Sequence, residues 1–228
     1  MERRYRDGAV FFPDHETLVV ADLHLGRDAT SDVELRLGEH ETVTARFAAL
    51  CEQFDPEEVV VAGDLLHSFA TLPRGVMETL RELKSAAREV GARIVVTPGN
   101  HDSMLGEVWD GPTHEEYPVG EWVVCHGHTE PDVDAAGYVV GHDHPAIEIE
   151  GQRRACYLTG SDAYGGAELL MLPAFTGLAP GVAVNRMRAG DFQSPLVTEA
   201  GTLQPVVRDD DADETFEFPP LGEFRRML

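Results

Sequence analysis

Carboxylate, amide and imidazole side chains follow directly after five apolar runs of this chain. The motifs are Asp22-Leu23-His24, Gly63-Asp64, Gly99-Asn100-His101-Asp102, His126-Gly127-His128 and Gly141-His142-Asp143-His144. Their oxygen and nitrogen donors are ligands that first-row divalent metals accept. A single Asp-x-His is more often a capped turn with a surface histidine. Seven of the ten histidines, however, lie in or beside these motifs, and this joint pattern predicts a metal site.

The apolar runs before the motifs predict buried strands whose C-terminal ends carry the donors. These runs are residues 18–21, 58–62, 93–97, 122–125 and 138–140. Helical spacing predicts helices at 34–53 and 74–90, so the first half should form parallel βαβ units behind a hairpin of residues 9–12 and 17–21. Closely spaced runs continue at 146–149, 153–158 and 167–172, with Gly151-Gln152 as a hairpin turn, and predict a mainly antiparallel second half. The stretch 173–185, rich in Gly, Pro and Ala, predicts a loop. In such folds, the carboxyl ends of the strands meet at one edge, where sites form.

The chain is strongly acidic, with 41 Asp and Glu residues against 18 Lys and Arg residues, a net charge of −23 and Lys84 as its single lysine. Self-repulsion on this scale is screened at molar salt, which favours a protein adapted to a salt-rich cytoplasm. An ordinary acidic surface is the alternative. Either way, broad adhesion to nucleic acid is disfavoured because it needs a basic face.

The length of 228 residues predicts one domain, residues 1–207, followed by an acidic and loosely held tail, residues 208–228, which its apolar residues could dock onto the core. Neither a run of about 18 apolar residues nor a charged-then-apolar start is readable, so we expect no membrane span or secretory signal and a cytoplasmic location. Cys51, Cys125 and Cys156 lack paired spacing and are expected to be reduced.

The order and spacing of the five motifs resemble the calcineurin-like metallophosphoesterase superfamily. Further details resemble its DNA ligase-associated, or ICC-like, subgroup: the stretches 21–26 and 63–68, the proline after His144, and Leu172-Pro173-Ala174-Phe175. The resemblance extends over about residues 18–181. It implies an α/β fold, a two-sheet mixed β-sandwich flanked by helices, with a binuclear metal centre on one rim.

The resemblance also implies the ligands. One metal would be held by Asp22, His24 and His144, the other by Asn100, His126 and His142, with Asp64 bridging both. His128 is the alternative to His126, which is preferred because it follows directly on its strand. Ligands without thiolate predict two divalent ions per chain, with Mn²⁺ favoured and Fe or Zn also accepted.

In the family mechanism, a metal-bridging water attacks phosphorus and His101 resembles the general acid that protonates the leaving oxygen. Asp102 is expected either to hold the His101 imidazole in the right tautomer or to cap its turn. His67, three residues after Asp64, is expected to face the substrate without binding metal; the alternative is a histidine that caps the loop.

We therefore expect a hydrolase of phosphate esters, with diesters of nucleic-acid ends or nucleotides favoured, and DNA-repair partners, by resemblance alone. A nucleotide or phospho-sugar pyrophosphohydrolase is the alternative enzyme. A catalytically impaired scaffold of the same fold is the alternative binding protein, and the presence of His101 and all the inferred ligands disfavours it. The natural substrate, monoester or diester preference, and the oligomeric state stay open.

Overall fold

The computed structural model describes residues 1–27, 39–67, 73, 75–179 and 181–227. The strands are β1 (Arg4–Arg6), β2 (Ala9–Phe12), β3 (Thr17–Val20), β4 (Glu58–Ala62), β5 (Arg93–Thr97), β6 (Tyr117–Val119), β7 (Trp122–Val124), β8 (Gly137–Val140), β9 (Pro145–Ile149), β10 (Gln152–Ala155), β11 (Tyr157–Tyr164), β12 (Ala167–Met171), β13 (Val182–Ala183), β14 (Gln204–Asp209) and β15 (Glu214–Glu217). The helices are α1 (Glu39–Phe54), α2 (Val76–Glu89), α3 (Leu105–Val108) and α4 (Leu221–Phe224). Residues 34–38, the start of the first predicted helix, lie outside the described residues.

The first sheet has five strands in the order β1-β2-β3-β4-β5. β2 and β3 form the predicted hairpin, and β3, β4 and β5 run parallel, with α1 and α2 in the connections. Because β3, β4 and β5 are parallel, their carboxyl ends lie at the same edge. β1 was not predicted, since Arg4-Tyr5-Arg6 is a short, charged strand of the kind that occupies a sheet edge.

The second sheet has seven strands in the order β15-β14-β11-β12-β8-β7-β6. The expectation of a mainly antiparallel second half is confirmed, since five of its strand pairs in the described residues are antiparallel. The exceptions in this sheet are at β8, which pairs in parallel with both β7 and β12. The spacing of strands along the chain predicts that strands exist, but it does not determine which strands pair. Because β8 is parallel to its neighbour β7, the carboxyl ends of both strands lie at one edge, and so do the residues that follow them.

A third, small sheet has the order β10-β9-β13. It splits the strand predicted at 153–158, because β10 ends at Ala155 and β11 begins at Tyr157 in the second sheet. It also contains β13, which lies within the predicted loop 173–185 and pairs in parallel with β9. The hairpin of β9 and β10 is confirmed, with left-handed Glu150 and Gly151 in its turn.

The first two sheets pack face to face as the predicted two-sheet sandwich. Alternation along β4 shows the arrangement: Val59 and Val61 join the apolar cluster of α1 and α2, whereas Val60 and Ala62 pack with residues of the second sheet. Successive strand residues point to opposite faces, so one strand serves both layers. The outer face of the second sheet packs against the third sheet and the C-terminal segments.

The segment after residue 207 is packed against the second sheet. The predicted boundary falls inside β14, Leu221 and Phe224 are buried, and Arg6 and Arg208 each form an ion pair with Asp210. Apolar residues of this segment and its acidic run both contact the rest of the chain, and the expectation of a loosely held tail stays a prediction. The assignment of residues 1–207 as a single domain stays a prediction. Among the described residues, we find no helix with the length and apolar character of a membrane span.

Candidate metal centre

Five strand ends converge on one rim of the sandwich. In the first sheet, β3, β4 and β5 end just before Asp22, Asp64 and Asn100, while in the second sheet β7 and β8 end just before His126 and His142. Backbone hydrogen bonds join neighbouring ends, since Asp22 N–H donates to Gly63 O (3.1 Å) and Gly141 N–H donates to His126 O (3.1 Å). The seven predicted ligands are therefore brought together from two sheets.

The first group of donors is formed by Asp22, His24 and His144. The Nε2 atoms of His24 and His144 lie 3.2 Å apart, and His144 Nε2 lies 3.3 Å from Asp22 Oδ1. These three residues meet the spacing expected of ligands to one metal ion. Two come from the first sheet and one from the second, so the group forms only when the sheets are packed together.

The second group of donors is formed by Asn100, His126 and His142. His126 Nε2 lies 3.1 Å from Asn100 Oδ1 and 3.2 Å from His142 Nδ1. His128, the alternative ligand, has its ring centre 5.1 Å from that of His126 and does not contribute a donor at these distances. The geometry therefore favours His126 over His128.

Asp64 lies between the two groups. Its Oδ2 is 3.7 Å from His24 Nε2 and 3.6 Å from His126 Nε2, while its Oδ1 accepts a hydrogen bond of 2.9 Å from the backbone N–H of His101. The carboxylate is thus held by the loop of β5 with one oxygen directed at both groups. This is the position that a bridging ligand needs.

The donor set fits divalent cations. Ligands about 2.0–2.2 Å from a metal at tetrahedral or octahedral angles lie roughly 2.9–3.5 Å from each other, close to the separations found here. Asp22 Oδ1 is buried without a hydrogen bond among the described residues. Since an unpaired buried carboxylate oxygen is unfavourable, a cation at this position would satisfy it.

The protonation states also suit metal binding. Burial lowers the pKa of His24 to about 3 and that of His126 to about 4, so both imidazoles are neutral near pH 7 and keep a lone pair for a cation. Burial opposes ionisation of Asp22, but contacts with His144, His126 and His24 outweigh it and hold the pKa of Asp22 below its ordinary value. Burial, aided by Asp22 and Asp102, raises the pKa of Asp64 to about 7. Without a cation, the two carboxylates therefore do not both ionise easily.

The backbone at the rim is strained. Ten described residues other than glycine have positive φ, and half of them are predicted ligands: Asp22, His24, Asp64, His142 and His144. A left-handed backbone is unfavourable by about 1–3 kcal/mol at such residues and persists where the surrounding fold determines it. Strain concentrated on these five residues points to a functional constraint on the loops.

Motif glycines make room for ligands of other motifs. A Cβ atom on Gly63 would lie 2.1 Å from His126 Nδ1, and one on Gly99 would lie 2.2 Å from Asp64 Oδ1. These glycines are needed because a neighbouring ligand occupies the space of their missing side chain. The sequence motifs therefore interlock across the rim.

His101 and His67 lie beside the first donor group. Their rings stack with centres 5.4 Å apart, and their ring centres lie 5.2 Å and 5.5 Å from that of His24. Both rings are partly exposed, in contrast to buried His24. With His24 they form a further cluster of three nitrogen donors, so geometry alone leaves His67 a candidate for either a substrate contact or a metal ligand.

The predicted link from Asp102 to the His101 ring is wrong. Asp102 accepts three backbone hydrogen bonds, from Leu65 (3.2 Å), Leu66 (2.7 Å) and Gly99 (2.9 Å), while His101 Nδ1 has no hydrogen-bond partner among the described residues. The carboxylate is thus the turn cap of the alternative interpretation, and it also ties the loops of β4 and β5 together.

Asp143 has the same role in the second sheet, and the sequence reasoning missed it. It is buried between the ligands His142 and His144, and its carboxylate accepts hydrogen bonds from the backbone N–H groups of Gln193 (2.8 Å) and Ser194 (3.0 Å). Its place between two predicted ligands was the available signal, but its partners lie about fifty residues further along the chain.

The family model for calcineurin-like phosphoesterases matches residues 15–146, more than half of the chain. The chain belongs to the calcineurin-like phosphoesterase family. The matched region includes all seven predicted ligands as well as His67 and His101. The metal dependence of the family agrees with the donor clusters on the rim, and membership supports a hydrolase of phosphate esters.

The fold of this calcineurin-like phosphoesterase is shared by a solved nuclease structure of low sequence identity. A nuclease from Pseudomonas putida, named MPE, aligns with a TM-score of 0.68 and 21% identity over 93% of this chain and 92% of the nuclease. YfcE, a phosphoesterase from E. coli, aligns with a TM-score of 0.49 and 13% identity over 90% of this chain and 98% of that protein. Among curated proteins, no sequence matches.

Proposed function

We propose that this phosphoesterase hydrolyses phosphodiesters of nucleic acid or nucleotides at a centre of two divalent metal ions. The observation that carries the proposal is the position of Asp64 Oδ2, at 3.7 Å and 3.6 Å from one imidazole nitrogen of each donor group. A carboxylate in this position can hold two cations at the roughly 3.5–4 Å separation that suits a phosphoryl group.

The predicted ligands are divided between the two cations in this proposal. Asp22, His24 and His144 would hold one cation and Asn100, His126 and His142 the other, with Mn²⁺ favoured for both. Two bound cations supply Lewis acidity, which neutralises phosphate oxygens and lowers the pKa of water. The neutral imidazoles and the amide limit the negative charge of the ligands, so an anionic phosphate can approach.

His101 supplies the proton for the leaving group in this proposal. Its backbone N–H is fixed by Asp64 Oδ1, and its ring is partly exposed next to His24. An imidazole held at the edge of the donor groups can donate a proton to the departing oxygen from Nδ1 or Nε2. Asp102 supports this role indirectly, because it fixes the loop that carries His101.

His67 contacts the substrate in this proposal. Its ring is parallel to that of His101 within 11°, so the two imidazoles form one wall beside the metal groups. Burial lowers the pKa of His67, which favours a neutral ring that donates a hydrogen bond to a phosphate oxygen. In a diester, this contact would orient the second ester arm.

The proposal is tested by measuring metal content and substrate range together. Metal-free protein is reloaded with Mn²⁺, Fe²⁺ or Zn²⁺ and assayed on a p-nitrophenyl monoester, bis-p-nitrophenyl phosphate, cyclic nucleotides, nucleotide pyrophosphates and single-stranded DNA. We expect two metals per chain and the highest kcat/KM on diesters. One tightly bound metal at full activity, or a preference for monoesters or pyrophosphates, would contradict it.

The role of His67 is tested with His67→Gln, which keeps a hydrogen-bond donor, and His67→Ala, which does not. We expect both variants to keep two metals, with a rise in KM for diesters that is larger for the alanine variant. Loss of a metal from either variant would make His67 a ligand instead.

A further inference from the structure

Helix α2 has three chemically distinct faces. Residues Val76, Thr79, Leu80, Leu83 and Ala87 are buried. At 100° per residue, Arg81, Lys84 and Arg88 fall within an arc of roughly 60° beside the buried face, whereas Glu78, Glu82 and Glu89 lie roughly 100° further round. On a chain of net charge −23, positive charge is therefore concentrated on one stripe of this helix.

The basic stripe borders a groove. Together with Met77, its three residues line one side of a concave pocket of about 440 Å³, and residues 106–110, from α3 onward, line the other. Lys84 Nζ lies 4.4 Å from the centre of the Trp109 ring and forms an ion pair with Asp110. These contacts hold the single lysine of the chain at the floor of the groove.

The two arginines of the groove form no close ion pair with the described residues, although Arg88 interacts electrostatically with Asp110. Arg81 and Arg88 are exposed, and neither forms a hydrogen bond or ion pair through its side chain with a described residue. Most other described arginines are paired with acidic residues, among them Arg3, Arg6, Arg46, Arg93, Arg153 and Arg208. In a chain with more than twice as many acidic as basic residues, two guanidinium groups without a close ion pair, about two turns apart on one stripe of a helix, point to an anionic partner.

The groove leads away from the metal centre. A helix that connects two parallel strands runs antiparallel to them, so the Met77 end of α2 lies towards the rim that carries Asp64. The opposite wall is joined to the same rim, because Leu105 N–H donates to Asp102 O (2.9 Å) at the start of α3. From Met77 to Arg88, the helix rises roughly 16 Å, the length of a few nucleotides.

We propose that this groove binds the phosphodiester strand of a nucleic-acid substrate beyond the bond that is cleaved. The inference rests on the proposed function, since it names the class of substrate that extends from the metal centre. Arg81 and Arg88 bind successive phosphates, because the planar guanidinium pairs with phosphate through two parallel hydrogen bonds.

A phosphodiester strand fits this groove better than an acidic peptide does. The groove starts at the rim, where a phosphate ester is held for hydrolysis, and a strand continues from that ester with a phosphate at each nucleotide. An acidic peptide would have no reason to begin there. The small basic area also agrees with the acidic remainder of the surface, which repels nucleic acid elsewhere.

The experiment compares the double variant Arg81→Gln/Arg88→Gln with wild type on a single-stranded 12-mer, a dinucleotide and bis-p-nitrophenyl phosphate. Arg226→Gln is the control for loss of charge, because Arg226 is also exposed and forms no ion pair with a described residue, but lies in the C-terminal segment. Binding of a phosphorothioate 12-mer, followed by fluorescence anisotropy against salt concentration, gives a readout that does not depend on turnover.

We expect kcat/KM of the double variant for the 12-mer to fall by roughly ten-fold, with the two short substrates unchanged. The slope of log affinity against log salt should become shallower by about 1.4, because two phosphate contacts of a single strand are lost. An unchanged 12-mer affinity and slope, equal losses on all three substrates, or stronger competition by polyglutamate than by the 12-mer would overturn the groove assignment. If the wild type is inactive on every diester but still binds the 12-mer through these arginines, the proposed function is wrong and the groove assignment is kept.

Discussion

The two sheets contribute differently to the metal rim. The first sheet supplies both carboxylates and the amide, together with His24, whereas the second sheet supplies only the imidazoles of His126, His142 and His144. Each donor group nevertheless draws on both sheets. Charge for the cations thus comes from one layer and neutral donors from the other, which means that the site depends on how the sandwich packs.

The hydrogen bonds that hold the loops of the rim in place also differ between the first and the second sheet. Asp102 joins two loops of the first sheet to each other, so this half of the rim is braced within its own layer. Asp143 joins the loop after β8 to Gln193 and Ser194, in an irregular segment outside the sheets. The second half therefore relies on a part of the chain that carries no ligand. The following predictions test this contrast, beginning with the largest expected effect.

Asp64→Asn should remove the one ligand that serves both groups. We expect activity to fall to the assay background and metal content to drop below two per chain, because an amide is a weaker bridge between two cations. Asp55→Asn is the matched control, since Asp55 has the same φ of 46° at the opposite end of β4 and is exposed. Two tightly bound metals in Asp64→Asn would rule out the bridging role.

His101→Ala should lower kcat by roughly 10²–10⁴-fold and leave metal content intact. The loss should be smaller for p-nitrophenyl esters than for alkyl esters, because a good leaving group scarcely needs a proton. The control is exposed His114→Ala. If the two ester types lose activity equally, His101 is not the general acid.

Metal affinity should weaken as the pH falls below about 7. Asp64, from the first sheet, has a pKa raised to about 7 by burial and so binds a proton in competition with the cation. His144, from the second sheet, also competes: burial opposes its protonation, but Asp22 outweighs burial and raises the pKa of His144. His24 and His126 stay neutral in this range. Titration calorimetry at pH 6 and 8 in buffers of different ionisation enthalpy would count the protons released, and no release at pH 6 would contradict this linkage.

Asp102→Asn and Asp143→Asn should show how much each carboxylate stabilises the loops that it joins. We expect a loss of about 1–3 kcal/mol in the free energy of unfolding for each, larger for Asp102, which accepts three backbone hydrogen bonds against two for Asp143. Metal binding should weaken by roughly 10–100-fold, as for other residues that orient ligands. Chemical unfolding and metal titration measure the two effects, and unchanged values in both variants would remove the bracing role.

Salt concentration should change the melting temperature of the protein more than the metal content of the rim. The charge of −23 predicts a melting temperature that rises between about 0.1 M and 3 M KCl as repulsion is screened. Metal content should stay constant over this range, because buried contacts are screened little. Calorimetry with metal analysis checks both, and a flat melting profile would count against salt adaptation.

The sequence by itself determined four of the five strands of the first sheet, the parallel order of β3, β4 and β5, and the residues at their ends. These features are local: an apolar run followed by Gly-Asp or Gly-Asn-His-Asp carries its own signal for a buried strand and a polar loop. The same local motifs carried the resemblance to the family that the comparison showed, and through it the prediction of seven ligands and of roles for His67 and His101.

Tertiary structure alone decided which partners these residues have. The preference for His126 over His128 follows from the contacts of His126 Nε2 with Asn100 and His142, and the function of Asp102 follows from amides 36 and 37 residues away. The parallel pairing of β8, the split between β10 and β11, and the docking of Leu221 and Phe224 also depend on distant segments. The groove brings Arg81 and Arg88 together with Trp109, which follows β5 in the chain. No local sequence pattern specifies these contacts between distant segments. They form only when apolar faces of remote elements are buried against each other.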